Sequence, residues 1–422
     1  MLSKPDFSSS TMLFGTNLQY ANSYNNRIVL EIIRLHGPVT RMDISRQTHL
    51  TVQTVTNITK KLEKSGLILE HSRQISGRGA PAVKLKINED AAYSIGIDFD
   101  KDHLTAVMLN LNGKICYEMS RDLDFPSPEE ALSLMSSTVT GIIEDQKISK
   151  KKIWGVGVGL PGPMDPTKDK MQSDDLFNPD ALPGWDHTPV LRYLKDRLGL
   201  PIITENNASA AAIGEHWYGK GKHINSFFFL YFGAGLGGGL VIRGQLYSGH
   251  TGNAGELGYF PSSLRADNGN RFEHDHLGGY FNMLLLKEKM IGAGYPASSQ
   301  KDLASRFDES NPILMEWLKT GTNQLVPLIA AVEYLIDPEV IFLGGRLPEN
   351  ILQWMRKRIL NALPPHRIPR KSVRPELEIA SSGIDAAALG VAALPLYTIL
   401  APVPELLMKQ DLRHADHFGP NS

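Results

Sequence analysis

The sequence predicts a two-part α/β protein, in which a small, mostly helical N-terminal piece precedes a large two-lobed body. From Tyr93 onward, strand-like and helix-like segments alternate, and glycine-rich turns follow several of the strands. Residues 1–90 hold 12 Lys and Arg against 7 Asp and Glu, whereas the whole chain has a net charge of −1. A basic piece ahead of an acidic body is typical of a DNA-binding domain fused to a domain that senses a metabolite.

The composition excludes several classes of protein. The chain has 422 residues, of which 42% are apolar and 21% charged, so a folded protein with a sizeable core is expected. Its single cysteine, Cys116, excludes an internal disulfide and a zinc site built on several cysteines. No apolar run approaches the roughly 20 residues that span a membrane, and residues 1–16 lack the basic-then-apolar order of a signal peptide. We therefore expect a cytoplasmic protein without a membrane partner.

The N-terminal region is expected to begin with a flexible arm over residues 1–19, which are polar and carry no periodic pattern. Residues 20–90 form what we call the head. From Asn26, apolar residues recur with the spacing of one helix face: Ile28, Val29, Ile32, Ile33 and Leu35. Gly37 and Pro38 are expected to end this first helix.

Two further helices are predicted in the head. Thr40, with Asp43 three residues later, has the spacing of a capping box for a short second helix. Thr51 is expected to cap a third helix that ends at Gly66. The apolar positions expected to face inward from this third helix are Val52, Val55, Ile58 and Leu62. Three short helices with a brief turn before the third indicate a helix-turn-helix.

The outward face of the third helix is polar. Its residues are Gln53, Thr54, Thr56, Asn57, Lys60 and Lys61. Gln and Asn side chains can form paired hydrogen bonds with adenine in the major groove, and hydroxyls and lysines suit phosphates. The sequence therefore predicts operator DNA as a partner, although a polar face that is only solvated would show the same composition.

A β-hairpin is predicted after the three helices. Residues 67–71 and 83–87 are strand-like, and the segment between them carries Arg78 between Gly77 and Gly79. Such a hairpin is typical of the wing of a winged helix-turn-helix. An arginine on a thin glycine backbone can enter a minor groove, so Arg78 joins the predicted DNA contacts.

The body is predicted over residues 91–402, followed by a tail, 403–422. The predicted strands are 94–99, 104–109, 114–118, 154–160, 200–203, 227–232, 240–242 and 340–343. Helices are expected over residues 128–145 and 327–336. This order is typical of a two-lobed α/β protein with turns at the strand ends.

Six motifs in order give a family resemblance. They are Gly159–Asp165, Leu182–Trp185, Glu205–Ala208, Gly233–Gly239, Gly255–Gly258 and Asp337–Gly345. Together they resemble the ROK family (repressor, open reading frame, kinase), many members of which also carry an N-terminal winged helix-turn-helix. The resemblance covers nearly the whole chain and implies a body similar to actin and hexokinase. This fold occurs in both kinases and repressors, so the function has to be inferred from the residues of the site.

The first departure from the kinases lies at the phosphate turn. ROK kinases have an Asp-x-Gly-Gly-Thr turn that cradles ATP phosphates with backbone amides, whereas the matching segment here, Asp98–His103, contains no glycine and two further acids. We therefore expect no nucleotide cofactor. The turns Gly233–Gly239 and Gly344-Gly345 persist, and close packing between a strand and a helix explains them without a nucleotide.

The second departure concerns zinc. Many ROK proteins bind zinc through a His after the Gly-Glu motif and three cysteines in the next loop. Here Tyr259 stands at the His position, and residues 260–277 contain no cysteine, so that site is absent. His274 and His276 alternate along the loop and could share a metal, but a His-rich loop is more often only solvated.

The third departure removes the catalytic base. The resemblance implies that a sugar would contact four positions, which here are Asn206, Asn207, Glu256 and Tyr259. At Asn207 the kinases have an aspartate that accepts the proton of the sugar hydroxyl. An amide can hydrogen-bond that hydroxyl but cannot accept its proton near neutral pH. The alternative is that Asn206 and Glu205 only cap the following helix.

These patterns predict a DNA-binding transcriptional regulator, most simply a repressor of sugar uptake or metabolism genes, that is not an enzyme. A sugar or sugar derivative would bind in a catalytically inactive kinase-like pocket, and the chain would act as a homodimer or homotetramer. The first alternative is an ATP-dependent sugar kinase with a fused DNA-binding head. The second is a regulator that is controlled by a protein partner instead of a sugar.

Overall fold

A computed structural model describes residues 18–74, 82–163, 185, 188–262, 276–295, 303–304, 307, 310–369, 373–383 and 385–401. The chain forms two compact units: one comprises the residues up to Ala91 with those from Leu396 onward, and the other runs from Ala92 to Pro395. Residues 1–17 of the expected arm, the tip of the wing with Arg78, and the tail lie outside the described residues.

The head contains the three predicted helices. They are α1 (Leu18–His36), α2 (Arg41–Thr48) and α3 (Val52–Lys64). Thr40 accepts a hydrogen bond from the amide of Asp43, and the carboxylate of Asp43 accepts one from the amide of Thr40. The predicted capping box is therefore confirmed, and so is the cap of α3, where the side chain of Thr51 accepts from the amide of Thr54.

The predicted start of α1 is wrong, because the helix begins at Leu18 and not at Asn26. Its inner face is partly polar: Ser23 and Arg27, one turn apart, are each only 5% exposed. Arg27 donates to two backbone carbonyls of the same unit. These polar residues interrupt the apolar pattern, so the predicted helix began about two turns too late.

A three-stranded antiparallel sheet completes the head. Its strands are β1 (Val39–Thr40), β2 (Ile68–Gln74) and β3 (Ala82–Ile87). They lie in the order β1-β3-β2, so the hairpin predicted for the wing is confirmed in its strands. One helix position was assigned wrongly: Val52 is 41% exposed, because it stands at the first position of α3, ahead of the buried Val55 and Leu62.

The first lobe of the body is built on a five-stranded sheet. Its strands are β4 (Tyr93–Asp100), β5 (His103–Asn110), β6 (Ile115–Asp122), β7 (Ile153–Leu160) and β8 (Ile202–Asn206). They lie in the order β6-β5-β4-β7-β8, with β4, β7 and β8 parallel. The helices of this part of the chain are α4 (Pro128–Asp145), α5 (Val190–Leu198) and α6 (Asn207–Tyr218).

The second lobe repeats this plan. Its strands are β9 (Phe227–Phe232), β10 (Leu236–Ile242), β11 (Gln245–Leu246), β12 (Val340–Gly345) and β13 (Glu376–Ile379), in the order β11-β10-β9-β12-β13. The helices of this part of the chain are α7 (Leu277–Tyr280), α8 (Met283–Gly292), α9 (Pro312–Leu335) and α10 (Glu349–Ala362). The last helix, α11 (Ala386–Leu400), packs against strands of the first lobe as well. Within the described ranges, no helix is long and apolar enough to cross a membrane. The predicted mixed α/β fold with two lobes is confirmed.

Two elements of the second lobe differ from the prediction. Helix α9 begins at Pro312, so Pro327, which was expected at its start, lies inside the helix. The glycine-rich segment is not a turn throughout, because β10 begins at Leu236. A Cβ atom on Gly239 would lie 2.5 Å from the Cβ of Ala212 in α6. The glycines of β10 are therefore needed for the close approach of α6 to the sheet.

Candidate functional site

The parallel strands of the first lobe end side by side. In the register of the sheet, Asp98 on β4 pairs with Gly159 on β7, and Gly159 pairs with Glu205 on β8. A crevice at the carboxyl ends of parallel strands is where open α/β sheets bind their ligands. The sheet therefore brings the predicted residues at 205–207 next to Asp98. From the sequence alone, Asp98 was expected only to belong to the segment that replaces the phosphate turn.

Asn206 connects the end of β8 to the loop that carries Glu256. Its side-chain oxygen accepts from the amides of Ala208 at 2.8 Å and Ser209 at 3.3 Å, which caps α6. Its side-chain nitrogen donates to Glu256 Oε1 at 3.0 Å. The capping alternative is therefore correct for Asn206, but the same side chain also joins Glu256, because one amide carries a donor and an acceptor.

Glu256 lies against the backbone of Gly162, which has no side chain. A Cβ atom on Gly162 would collide with the Asn206 amide and with Glu256 Oε1. Burial raises the pKa of Glu256 to about 7, because a charged carboxylate is less stable away from water. Near neutral pH the carboxyl group can therefore either donate or accept a hydrogen bond.

Asn207 and Asp98 face the same glycine. They are 5% and 0% exposed, and the Oδ1 atom of each is buried without a hydrogen-bond partner among the described residues. A Cβ atom on Gly159 would lie 3.0 Å from Asn207 Oδ1 and 3.1 Å from Asp98 Oδ1. The bare glycine thus leaves a small space bordered by two buried acceptors.

The fourth predicted ligand residue, Tyr259, is exposed, whereas Asn206 and Asn207 are buried. Its side chain is 53% exposed, and its ring packs against that of His276 with centroids 5.5 Å apart. His276 accepts from the amide of Gly279 and so caps α7. His274 lies outside the described residues, and within the part of the chain that is described no cluster of three His, Cys, Asp or Glu side chains is arranged for a metal.

Side chains fill the turn that corresponds to the phosphate turn of the kinases. His103, on β5, lies 3.2 Å from Asp98 through Nε2 and 2.7 Å from Asp102 through Nδ1. Burial alone would lower the pKa of His103, but its hydrogen bonds with Asp102 and Asp98 raise it to about 9. The imidazole is therefore protonated at neutral pH and donates to both carboxylates. The imidazolium therefore holds two of the acids of this segment, Asp98 and Asp102.

The neighbouring acids respond to the same surroundings. Burial raises the pKa of Asp100 to about 6. Burial would also raise the pKa of Asp102, but the hydrogen bond with His103 and nearby positive charges bring it to about 2. One of these charges is Lys287 on α8, whose Nζ lies 3.8 Å from Asp102 Oδ2. An ion pair therefore links the β4–β5 turn to the second lobe.

The outer face of α3 is open to contact. Gln53, Asn57, Lys60 and Lys61 are exposed, and Thr54 and Thr56 are half-buried. The Gln53 side chain donates to Asn57 Oδ1 at 3.4 Å, and the Thr56 hydroxyl donates to the Val52 carbonyl at 2.7 Å. Gln53 and Asn57 therefore stand one turn apart on one exposed face, where two side chains can address neighbouring base pairs. Arg78 lies outside the described residues.

Comparison with known families tests the resemblance to the ROK family and the predicted fold class. Residues 94–397 match the profile of the ROK family, and residues 28–72 match that of the MarR family. The chain belongs to the ROK family. The predicted fold class, a winged helix-turn-helix ahead of a ROK body similar to hexokinase, is thereby confirmed.

Relatives of this ROK protein include named regulators. It is 29% identical over 244 residues to the "Xylose repressor" of Caldicellulosiruptor bescii, a match that covers 58% of this chain and 60% of that one. It is 22% identical over 342 residues to the "DNA-binding transcriptional dual regulator NagC" of Escherichia coli K12, covering 79% and 83%. A solved structure, the "ROK family transcriptional regulator, homolog of E.coli MLC protein", matches with a TM-score of 0.71 and 20% identity, covering 92% of this chain and 99% of that one.

Three features of this ROK site could not be read from the motifs. Asp98 belongs by resemblance to a phosphate turn, and only the register of the sheet places it beside Asn207. His103 had no assigned role, although its spacing across a two-residue hairpin from Asp100 predicts a cross-strand neighbour of the acids. Gly159 belongs to a matched motif, but only the structure shows that its lack of a side chain leaves room between Asp98 Oδ1 and Asn207 Oδ1.

Proposed function

We propose that this ROK protein is a transcriptional repressor whose head binds operator DNA through α3 and whose body binds a sugar or sugar derivative at Asn206, Asn207 and Glu256. The observation that carries the proposal is the assembled polar cluster at the strand ends, in which Asn206 donates to Glu256 at 3.0 Å. The named relatives and the MarR match over residues 28–72 support the DNA-binding half.

A sugar suits this cluster because the side chains there are amides and carboxyl groups. Sugar hydroxyls both donate and accept hydrogen bonds, and amides do the same. Glu256, with its raised pKa, adds a group that can accept or donate near neutral pH. Tyr259 is a proposed contact at the margin, since its exposed ring can pack against an apolar sugar face.

Phosphoryl transfer is not part of the proposed function. Asn207 holds an amide where a general base is needed, and loss of such a base costs roughly 10²–10⁴ in rate. At the β4–β5 hairpin, His103 contacts both Asp98 and Asp102, so this segment offers no bare amide cradle for phosphates. Among the described residues, we find no feature that favours the kinase alternative over the regulator.

We further propose that the protein binds DNA as a homodimer or homotetramer. A helix-turn-helix protein of this type contacts two half-sites about one helical turn apart, so a symmetric oligomer matches a palindromic operator. Sugar binding would then change operator affinity by favouring one of two arrangements of the body.

Footprinting on the DNA upstream of the protein's own gene tests this function directly. We expect a palindromic protected site, and D-xylose, D-glucose or N-acetylglucosamine is expected to change the protein concentration needed to protect it. The variant Glu256→Ala is expected to protect the same site without a sugar response, because the change lies in the body. Protein that protects no site with or without these sugars contradicts the proposal, as would a sugar response that Glu256→Ala leaves intact.

A further inference from the structure

Two buried acceptors of the crevice are left without donors. Asp98 Oδ1 and Asn207 Oδ1 lie near Gly159, on side chains that are 0% and 5% exposed, and neither has a hydrogen-bond partner among the described residues. Buried polar atoms are nearly always hydrogen-bonded, because an unpaired one loses its contact with water and gains nothing in return. Two such atoms beside one glycine indicate a place for a donor that a bound molecule supplies.

The other oxygen of Asp98 is already engaged. His103 donates from Nε2 to Asp98 Oδ2 at 3.2 Å and from Nδ1 to Asp102 Oδ1 at 2.7 Å. Asp102 in turn lies 3.8 Å from Lys287. This chain of contacts fixes the plane of the Asp98 carboxylate, so that Oδ1 stays directed at the space above Gly159. His103 and Asp102 are thus positioning residues for Asp98.

The charges around the crevice limit the kind of molecule that fits. Asp98, Asn207 and the apolar Val391 border the space at Gly159, and Asn206 and Glu256 border Gly162. The polar groups among them are carboxyl groups and amides. The Asp98 carboxylate would repel a negative phosphate, and the nearby cations His103 and Lys287 are already paired with Asp98 and Asp102. Hydroxyl groups, in contrast, donate hydrogen bonds to carboxylate and amide oxygens.

We propose that Asp98 is a further ligand-binding residue, which together with Asn207 accepts hydrogen bonds from hydroxyl groups of an unphosphorylated sugar bound above Gly159. The inference rests on the proposed function, because it names a contact and a ligand class for the same crevice. It gives the former phosphate turn a new role: its first aspartate has become part of the sugar site.

Calorimetric titration of the full-length protein with D-xylose, D-glucose and N-acetylglucosamine tests this assignment. For the sugar that binds, we expect Asp98→Ala to raise Kd roughly ten- to hundredfold, the effect of losing a hydrogen bond to a charged acceptor. Asp100→Asn is the matched control on the same strand, and its Kd is expected to stay near that of the wild type. The 6-phosphate of the bound hexose, or D-xylose 5-phosphate, is expected to bind at least tenfold more weakly than the free sugar.

Two further measurements keep the test decisive if Asp98→Ala proves unstable. Gly159→Ala places a methyl group between the two oxygens, so it is expected to abolish binding while Asp98 and His103 remain in place. Mono-deoxy analogues of the bound sugar identify the hydroxyl concerned: removal of that hydroxyl and Asp98→Asn should weaken binding by amounts that do not add.

The possible failures are distinguishable. Wild-type protein that binds none of the three sugars contradicts the proposed sugar control and this inference with it. Wild-type protein that binds a sugar with a Kd that Asp98→Ala and Gly159→Ala leave unchanged overturns only the inference, and the two oxygens would then be served by a water molecule. Tighter binding of the sugar phosphate would overturn the ligand class.

Discussion

The side-chain amide of Asn206 reaches Glu256 Oε1 at 3.0 Å while its oxygen caps α6. One residue therefore fixes both the start of a helix and the position of a carboxyl group fifty residues further along the chain. Because α6 packs closely against the glycines of β10, the polar cluster is supported by a rigid element. Such support is what a binding site needs for preorganised geometry.

Replacement of Asn206 is expected to affect stability and sugar binding together. Asn206→Ala removes the cap of α6, which costs about 0.5–2 kcal/mol of unfolding free energy, and it also leaves Glu256 without its donor. Urea unfolding measures the first effect, and calorimetric titration with the sugar that binds the wild type measures the second. Ser127→Ala is the matched control, because Ser127 caps α4 through the same kind of bond.

The control separates a helix cap from a ligand contact. Ser127→Ala should lose a similar free energy of unfolding and keep the wild-type Kd, whereas Asn206→Ala should lose both. Equal Kd values for the two variants would mean that Asn206 acts only as a cap, as the alternative from the sequence has it.

The pH dependence of stability is expected to change in Glu256→Gln. Burial raises the pKa of Glu256 from 4.5 to about 7 in the folded protein. The folded state therefore binds the proton more tightly, so the stability that this group contributes is present at low pH and is lost as the pH rises through about 7. Urea unfolding at several pH values from 5 to 8 checks this.

The comparison between the two proteins isolates this group from the others. Asp100, whose pKa is raised to about 6 by burial, contributes in the same direction in both proteins. The difference in unfolding free energy between wild type and Glu256→Gln should therefore fall steadily as the pH rises. A difference that stays constant from pH 5 to pH 8 would contradict the buried position of Glu256.

Restoration of the aspartate at position 207 is not expected to restore a kinase. Asn207→Asp supplies a carboxylate, but the β4–β5 turn still holds Asp98, Asp102 and His103 where a phosphate cradle would need free amides. Release of ADP in the presence of ATP and each of the three sugars is therefore expected to remain at background. A hexokinase run in parallel is the positive control, and turnover by the variant would show that the nucleotide site has survived.

Much of this fold could be predicted from the sequence because local patterns were strong. Caps, periodicity and apolar runs predicted the capping box at Thr40 and the bounds of α4 and β9. They also predicted the succession of most of the strands along the chain. The misplaced starts of α1 and α9 have a related cause. Buried polar residues in α1 and an internal proline in α9 break the local pattern, while tertiary contacts keep the helix intact.

The sequence predicted only those residues of the site that lie in the matched motifs. Asn206, Asn207 and Glu256 came from matched segments, and the structure brings them together near the ends of β7 and β8. The pairing of Asp98 with His103 depends on the register of a hairpin, and the neighbourhood of Asp98 and Asn207 depends on two parallel strand pairings. The parallel pairings join segments far apart in the chain and leave no trace in residue spacing, whereas the hairpin contact could have been read from its spacing.

Two substitutions on α3 are expected to affect DNA binding in different ways. Lys60→Ala removes an exposed charge, so affinity should fall for all sequences, and the slope of log K against log salt should become shallower by about 1. Asn57→Ala removes the proposed base contact, so it should cost about 1–3 kcal/mol on the operator and relax the preference at one base pair. Titrations at several salt concentrations with operator variants measure both effects.

A charge-matched control lies on the body. Lys195 is exposed on α5, and Lys195→Ala should leave both the operator affinity and its salt dependence unchanged. If Lys60→Ala and Asn57→Ala behaved like Lys195→Ala, then the outer face of α3 would be only a solvated surface.

Arg27 is expected to stabilise the unit that contains the head. Its Nη1 donates to the carbonyl oxygens of Thr398 at 2.9 Å and Ala401 at 3.2 Å, at the C-terminal end of α11. Burial lowers the pKa of Arg27 to about 10, so the guanidinium stays charged at neutral pH. Arg27→Ala should therefore lower the free energy of unfolding by about 1.5–3 kcal/mol.

Thermal and urea unfolding of the full-length protein measure this loss, with Arg46→Ala as the control, because the Arg46 side chain is 76% exposed beside Asp43. An exposed pair of that kind contributes about 0–1 kcal/mol. Arg27→Lys should recover only part of the lost stability, because an ammonium group lacks the planar fork of donors that a guanidinium offers. If Arg27→Ala unfolds like Arg46→Ala, the carbonyls at the end of α11 are satisfied by water and the buried arginine adds no stability.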